Sequence, residues 1–193
     1  MPDMRWKSFL GLLPIVLAVA ILTTWLSFTP PGLLGKADAV GYAVCHRIEE
    51  RSFHLGERAA PLCARCSGMY LGALLGLVYQ WRLGRRGKLP PLFIQVLLGL
   101  FFLAFGIDGG NSYLHFFPNL PTLYETNNFL RLLTGTGMGL ALALIFQPVY
   151  HQSVWAEYED RPALETPGQF AVILGLAVLL VLAVLSENPL LLY

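Results

Sequence analysis

The chain has 193 residues, of which 55% are hydrophobic and only 13% are charged, and its mean hydropathy is +0.59. In soluble domains roughly a quarter of all residues are charged, so this composition excludes an ordinary soluble domain. It indicates that lipid surrounds most of the chain. The net charge of +1 is almost neutral, and Lys and Arg residues are dispersed among apolar runs. Nucleic acid is not an expected partner, because binding to its phosphates needs a basic stripe.

The apolar runs predict an all-α fold, a polytopic membrane helix bundle of about five transmembrane helices. A bilayer core of about 30 Å is crossed by about 20 apolar residues in a helix, and these runs lack the alternation of a membrane barrel. We expect residues 1–193 to form a single integral membrane domain. The predicted spans are Phe9–Phe28, Ser67–Trp81, Leu92–Ile107, Phe129–Phe146 and Phe170–Leu185.

The distribution of basic residues predicts the orientation in the membrane. Arg5 and Lys7 precede the first span, and the short loop after the second span is basic, so both should be cytoplasmic. The first run is too long for a signal peptide and lacks a small-x-small cleavage site, so we expect it to remain as a span. The segment of residues 29–66, between spans one and two, is then outside. The loop carries Arg82, Arg85, Arg86 and Lys88.

Glycines recur every four residues in the second predicted span and again in the fourth. They are Gly68, Gly72 and Gly76, and Gly135 and Gly139. Residues four apart share one helix face, and a face without side chains lets another helix approach closely. We predict that these two helices pack together, and that other membrane subunits or a second copy of the chain could dock on the same faces. Alternatively, glycine is simply frequent in membrane helices.

All three cysteines lie in the 29–66 segment, which is also rich in Arg. Cys45 is followed directly by His46, and Cys63 and Cys66 form a Cys-x-x-Cys pair. Two residues between thiols let one turn present both to a single ion, and thiolate with imidazole suits zinc, which takes four donors in a tetrahedron. The pattern therefore predicts a metal site in which zinc is the expected ion.

Two other interpretations of the cysteines stay open. In an oxidising compartment they could form a disulfide, with one thiol left over, and Arg65 between Cys63 and Cys66 would lower a thiol pKa in a redox site. They could also simply fill contacts between helices. His54 and His115, both predicted on the same side of the membrane, could complete a metal site that other donors leave open.

Ionisable and amide side chains cluster at the predicted outer edges of the spans. They are Arg47, Glu50, Arg51, Arg65, Asp108, Asn128 and Arg131. Charges at membrane depth persist by pairing or by meeting a polar ligand, and the Arg fork fits phosphate or carboxylate. The set predicts either an anion or lipid-binding site, with membrane lipid as the partner, or a structural ion-pair network.

The same residues carry a resemblance to a family of small prokaryotic membrane proteins known only as a domain of unknown function. The similarity spans Cys45 to Gly139, and its motifs correspond to Cys45–Phe53, Pro61–Gly72, Gly106–Gly109 and Asn127–Gly135. Glu49 stands where the family has Pro, Asn127 where it has Thr and Ser112 where it has Gln. The resemblance implies an integral protein of a prokaryotic cell membrane and indicates which residues form a site, without implying an activity.

The leading functional hypothesis is a membrane protein with a Cys/His metal or thiol site beside a polar pocket of Arg, Asp and Asn side chains. One alternative is an integral membrane enzyme acting on a lipid or polyprenyl phosphate, with Glu50 or Asp108 as acid or base. Another is a small structural subunit of a membrane complex. None of the familiar catalytic motifs is present, so no catalytic residues are assigned.

Overall fold

The computed structural model describes the backbone of residues 3–117 and 119–188, and their side chains except those of residues 3–11 and 55. Helices dominate this part of the chain, in agreement with the predicted fold class. The helices are α1 (Asp3–Phe28), α2 (Leu33–Val44), α3 (Ala64–Trp81), α4 (Leu92–Leu114), α5 (Asn128–Val154) and α6 (Pro167–Leu185). Short strands, which the sequence did not predict, are β1 (Ser52–Leu55), β2 (Arg58–Cys63), β3 (Arg86–Lys88) and β4 (Glu159–Pro162).

The chain divides into two compact units, Met1–His46 and Arg47–Tyr193. The first unit contains α1 and α2. Pro30 and Pro31 have no backbone N–H to continue α1, and Gly32 adopts a positive φ of 82° just before α2. At this break the chain bends by 111° between residues Leu12–Phe28 of α1 and helix α2. The side chains of Arg5 and Lys7, on which the predicted orientation depends, lie outside the described residues.

The second unit is built on close contact between α3 and α5. A methyl group added at Gly139 would lie 2.7 Å from the Ala73 nitrogen and still closer to the Met69 carbonyl oxygen. Gly68 and Gly72 approach the backbone of α5 in the same way, which confirms the predicted packing of the two glycine faces. These faces are buried against each other, so another subunit could use them only by separating the two helices.

The remaining core lies where α4 and α6 pack on α5. Ile94 and Leu98 of α4 and Ile173 of α6 are fully buried. They share one apolar cluster with Leu140 and Leu144 of α5. Helix α5 contacts α3, α4 and α6, so it is the central helix of the unit.

Within the described residues, three helices, α4, α5 and α6, are long and apolar enough to cross a membrane, and the bent pair of the first unit would add a fourth if it forms one span. Helix α3, which corresponds to the second predicted span, is less apolar because Arg65 and Gln80 lie within it. Gln80 is buried and donates to the Ala143 carbonyl oxygen of α5 at 2.9 Å. The number of about five spans, and the single domain, therefore stay predictions.

A β-hairpin leads directly into α3. Strands β1 and β2 pair antiparallel, with Ser52 opposite Cys63, and Gly56 in the connecting turn has a positive φ of 65°. Phe53 on β1 packs against the buried Ala64 and Leu132. The hairpin is thereby anchored to the bundle and places Cys63 at the point where α3 begins.

At the other end of α3 a second strand pair joins two loops. Strand β3 lies in the basic loop after α3, and β4 lies in the connector between α5 and α6; the two strands pair in parallel. The Glu159 and Ala163 nitrogens donate to the Arg85 and Lys88 carbonyl oxygens, each at 2.8 Å. His151 Nδ1 lies 3.0 Å from the Arg86 carbonyl oxygen and links α5 to the same loop.

Candidate functional site

The cysteine side chains come together at the start of α3. Cys63 is the N-cap residue of this helix, and Cys66 lies in its first turn. The sulfur atoms of Cys45, Cys63 and Cys66 all lie within 4.8 Å of one another, so the three could hold a metal ion. Among the described residues this group does not include His46, which the sequence predicted as a fourth ligand.

Cys63 and Cys66 lie at the N-terminal end of α3, where a helix offers partners to an anion. The first turn of a helix leaves backbone N–H groups without carbonyl partners, and the helix dipole is positive at this end, so a thiolate is stabilised there. Cys63 is only 2% exposed, which protects a bound ion from solvent. Zinc takes four donors, so three thiolates would leave one coordination position for another ligand.

Arg65, between the two cysteines, forms an ion pair with Asp108 near the end of α4. Its guanidinium donates to the Asp108 carboxylate and, at 3.2 Å, to the Asp108 carbonyl oxygen. The Tyr124 hydroxyl donates to the other carboxylate oxygen at 2.9 Å. Asp108 is 1% exposed, so these contacts satisfy a carboxylate that is out of water.

Asn111 holds the loop after α4 in place. Its amide donates to the Tyr124 carbonyl oxygen and accepts from the Leu123 nitrogen, both at 2.7 Å. Asn111 lies three residues after Asp108 and therefore on the same helix face. Asn111 and Tyr124 were both missed by the sequence analysis, although the spacing of the first from Asp108 was a usable signal.

Arg131 occupies the first turn of α5 and is 8% exposed. It donates to the Asn128 side-chain oxygen at 2.9 Å and to the Thr126 hydroxyl. Asn128 in turn donates to the Ser52 carbonyl oxygen of the hairpin at 3.2 Å. The Nε atom of Arg131 is buried and has no hydrogen-bond partner among the described residues.

The other predicted site residues lie before the hairpin. Arg51 donates to the Ser112 carbonyl oxygen at 3.1 Å and stacks on the Phe116 ring at 4.3 Å. Glu50 contributes a backbone carbonyl oxygen, 3.4 Å from the Asn128 amide, and its own side chain is exposed. Arg47 has a φ of 49°, in the left-handed region that favours glycine.

The pKa of Tyr124, which lies in the loop outside the apolar spans, is raised from its ordinary value by burial and then by the hydrogen bond to the Asp108 carboxylate. A raised pKa means that folding favours the protonated phenol, so this contribution to stability is complete below pH about 10 and is lost as the pH rises through the pKa of the folded state.

We expect the melting temperature of the wild type to fall more steeply above pH 10 than that of Tyr124→Phe. Thermal unfolding followed across the alkaline range checks this, with Tyr70→Phe, which removes an exposed phenol, as the control. An identical alkaline slope in wild type and Tyr124→Phe would contradict it.

Residues 45–145 match the family model DUF2085, whose members are described as predicted membrane proteins. An uncharacterised protein of Methanothermobacter thermautotrophicus is 32% identical over 108 residues, which cover 56% of this chain and 88% of that protein. A second, from Methanocaldococcus jannaschii, is 24% identical over 123 residues, covering 63% of this chain and 72% of its own length. No solved structure matches the chain.

These relatives confirm the predicted resemblance to an uncharacterised prokaryotic family, since both organisms are archaea. The matched stretch begins at Cys45 and includes the other two cysteines, the ion pair of Arg65 with Asp108, and Arg131. The apolar helices agree with the description of the family. The chain therefore belongs to the DUF2085 family of membrane proteins.

Proposed function

We propose that this membrane protein binds a thiophilic metal ion through Cys45, Cys63 and Cys66, and that the ion is zinc. The observation that supports the proposal is the approach of three sulfur atoms to within 4.8 Å of one another. Thiolates are soft donors and select zinc over magnesium or calcium, which take oxygen ligands. His46, adjacent to Cys45 in the sequence, is the protein group proposed for the fourth position, and a water molecule or an external ligand is the alternative.

Arg65 has two roles in this proposal. Its pairing with Asp108 fixes the first turn of α3 relative to α4, so Cys63 and Cys66 are held in place before a metal binds. Its positive charge also offsets part of the negative charge that three thiolates bring to one ion. We assign Arg65 and Asp108 as positioning residues, because each is engaged with the other.

The proposed topology places the cysteines on the outer side of the membrane and the N-terminus in the cytoplasm. A metal bound there would be acquired outside the cell, and occupation by metal would compete with disulfide formation. The enzyme alternative is weaker, because Asp108 as acid or base would first have to leave its partners Arg65 and Tyr124. A role as a subunit of a larger complex remains compatible with a metal site.

Metal analysis of the purified protein tests the proposal. We expect about one zinc ion per chain when the protein is prepared under reducing conditions, and loss of most of it in Cys63→Ser and in Cys66→Ser. Replacing the ion by cobalt should give thiolate-to-cobalt absorption bands, whose intensity reports the number of bound thiolates. His46→Ala tests the fourth ligand, since a bound imidazole predicts weaker binding and an altered cobalt spectrum.

Ser67→Ala is the matched control, because it removes a hydroxyl in the same helical turn and should leave the metal content unchanged. Thermal unfolding of every variant shows whether a loss of metal follows from a loss of the fold. A folded, fully reduced protein that contains no metal and takes up neither zinc nor cobalt would exclude the proposal. Mass measurement showing a stable disulfide between two of the cysteines in freshly isolated protein would equally contradict it.

A further inference from the structure

A polar cavity separate from the cysteines lies between the end of α4 and the beginning of α5. Its volume is about 280 Å³. The residues that line it are Arg51, His115, Glu125, Thr126 and Arg131. All five belong to the second unit and to the stretch that matches the family. A role for this cavity can therefore be tested whether or not the cysteines bind a metal ion.

The charges around this cavity are not balanced. Within the described part of the chain, neither Arg51 nor Arg131 forms an ion pair with a carboxylate. Arg51 and Arg65 act unfavourably on the charge of Arg131, whereas Asp108 and Cys63 act favourably on it. The Asp108 carboxylate is engaged by Arg65, which leaves Glu125 as the acidic side chain on the cavity wall. Two guanidinium groups at the edge of a membrane, one of them 8% exposed, are costly unless an anion compensates them.

The guanidinium groups of the cavity use some of their N–H donors on the protein and keep others for a ligand. A guanidinium carries five N–H donors, and the contacts of Arg131 with Asn128 and Thr126 use two of them. Arg51 uses its NH2 group on the Ser112 carbonyl oxygen and is held in place by its stacking on Phe116. Both side chains are therefore oriented by the protein while retaining donors for another partner.

We propose that this cavity binds a phosphate group, held by Arg51 and Arg131. The planar fork of Arg matches two phosphate oxygens at once, and a second Arg supplies the charge that a doubly ionised phosphate requires. His115, whose Nε2 lies 3.1 Å from the Tyr124 carbonyl oxygen, is a third side chain on the cavity wall. The negative charge of Glu125 repels an anion, so it lowers the affinity for phosphate. It favours a ligand whose phosphate lies away from Glu125.

The phosphate can come from two sources, free phosphate or a lipid headgroup. His115 directly follows the last residue of α4, and Arg131 is in the first turn of α5, so the cavity lies at one end of two candidate spans. Headgroup phosphates lie at that depth in a bilayer. Binding measurements with the two kinds of ligand distinguish the sources.

The experiment uses the full chain in a neutral detergent and in lipid nanodiscs. Inorganic phosphate is titrated against the detergent-solubilised protein, and retained phospholipid is measured by native mass spectrometry after reconstitution with phosphatidylglycerol or with phosphatidylcholine alone. Saturable binding of inorganic phosphate indicates a small-anion site. Retention of phosphatidylglycerol with no response to inorganic phosphate indicates a headgroup site. A response to neither ligand overturns the proposal.

Three variants make the result specific. Arg51→Gln should weaken binding about tenfold, since a charge-assisted hydrogen bond is lost, whereas Glu125→Gln should strengthen it several-fold because a repelling charge is removed. Arg85→Gln is the matched control, as Arg85 stacks on Trp155 beyond the other end of α3. Equal affinity in Arg51→Gln and wild type, or weaker binding in Glu125→Gln, overturns the proposal. Zinc content measured on the same samples should be unchanged, which keeps this test independent of the metal site.

Discussion

Asp108→Ala should lower the free energy of unfolding by about 3–5 kcal/mol, because it leaves the Arg65 guanidinium without its partner in a buried position. Asp108 is 1% exposed and accepts hydrogen bonds from both Arg65 and Tyr124. Removing the carboxylate therefore strands a charge and a hydroxyl group at once. Denaturant unfolding in a fixed detergent, followed by circular dichroism, measures the effect.

The exposed pair of Lys88 and Asp160 provides the control. Its atoms lie 2.8 Å apart, but the two side chains are 54% and 77% exposed. Solvent screens such a pair, so Asp160→Ala should cost less than about 1 kcal/mol. If Asp108→Ala is no more destabilising than Asp160→Ala, the buried pair does not organise this end of the bundle. Arg65→Met combined with Asp108→Leu should recover much of the loss, since neither charge is then left unpaired.

Gly139→Ala should destabilise the bundle by about 3 kcal/mol, at the upper end of the range for overpacking. The added methyl group would collide with the Met69 carbonyl oxygen and the Ala73 nitrogen, which are backbone atoms of α3. Backbone atoms cannot rotate away as a side chain does, so α3 and α5 would have to separate along their contact. The melting temperature in detergent and the tryptophan emission spectrum would both report the change.

Gly175→Ala in α6 makes the same chemical change where there is room. A methyl group at this position would meet no described atom within 4 Å. Because Ala has a higher helix propensity than Gly by up to about 1 kcal/mol, this variant should be as stable as the wild type or more so. Equal melting temperatures of the Gly139 and Gly175 variants would show that the two helices do not depend on their close approach.

The helices could be predicted from sequence because their signal is local. Each predicted span lies within a helix, but α4 continues from the predicted end at Ile107 to Leu114. The predicted span ended there because the charged Asp108 follows Ile107, but the helix continues past both Asp108 and the polar Asn111. Their cost is offset by partners from α3 and from the loop that follows α4, and such long-range contacts are not visible in a local pattern.

The candidate site was predictable to a different degree for each kind of residue. The spacing of Cys63 and Cys66 indicated a shared site, and the cost of charges in a membrane predicted for Asp108 either a polar ligand or a basic partner. That this partner is Arg65, 43 positions away, depends on the fold. Tyr124 and Thr126 lie in an irregular loop, where no periodicity marks which side chains point inwards.

The parallel pairing of β3 with β4 also bears on how the chain is made. During synthesis α3 and α4 are made before α5, and the carbonyl oxygens of Arg85 and Lys88 in the loop between them do not yet have their partners. Those partners, at Glu159 and Ala163, arrive only after α5 has been translated. The β3–β4 sheet can therefore close only after α5 has been synthesised, and it adds a late contact to the packing of α3 against α5.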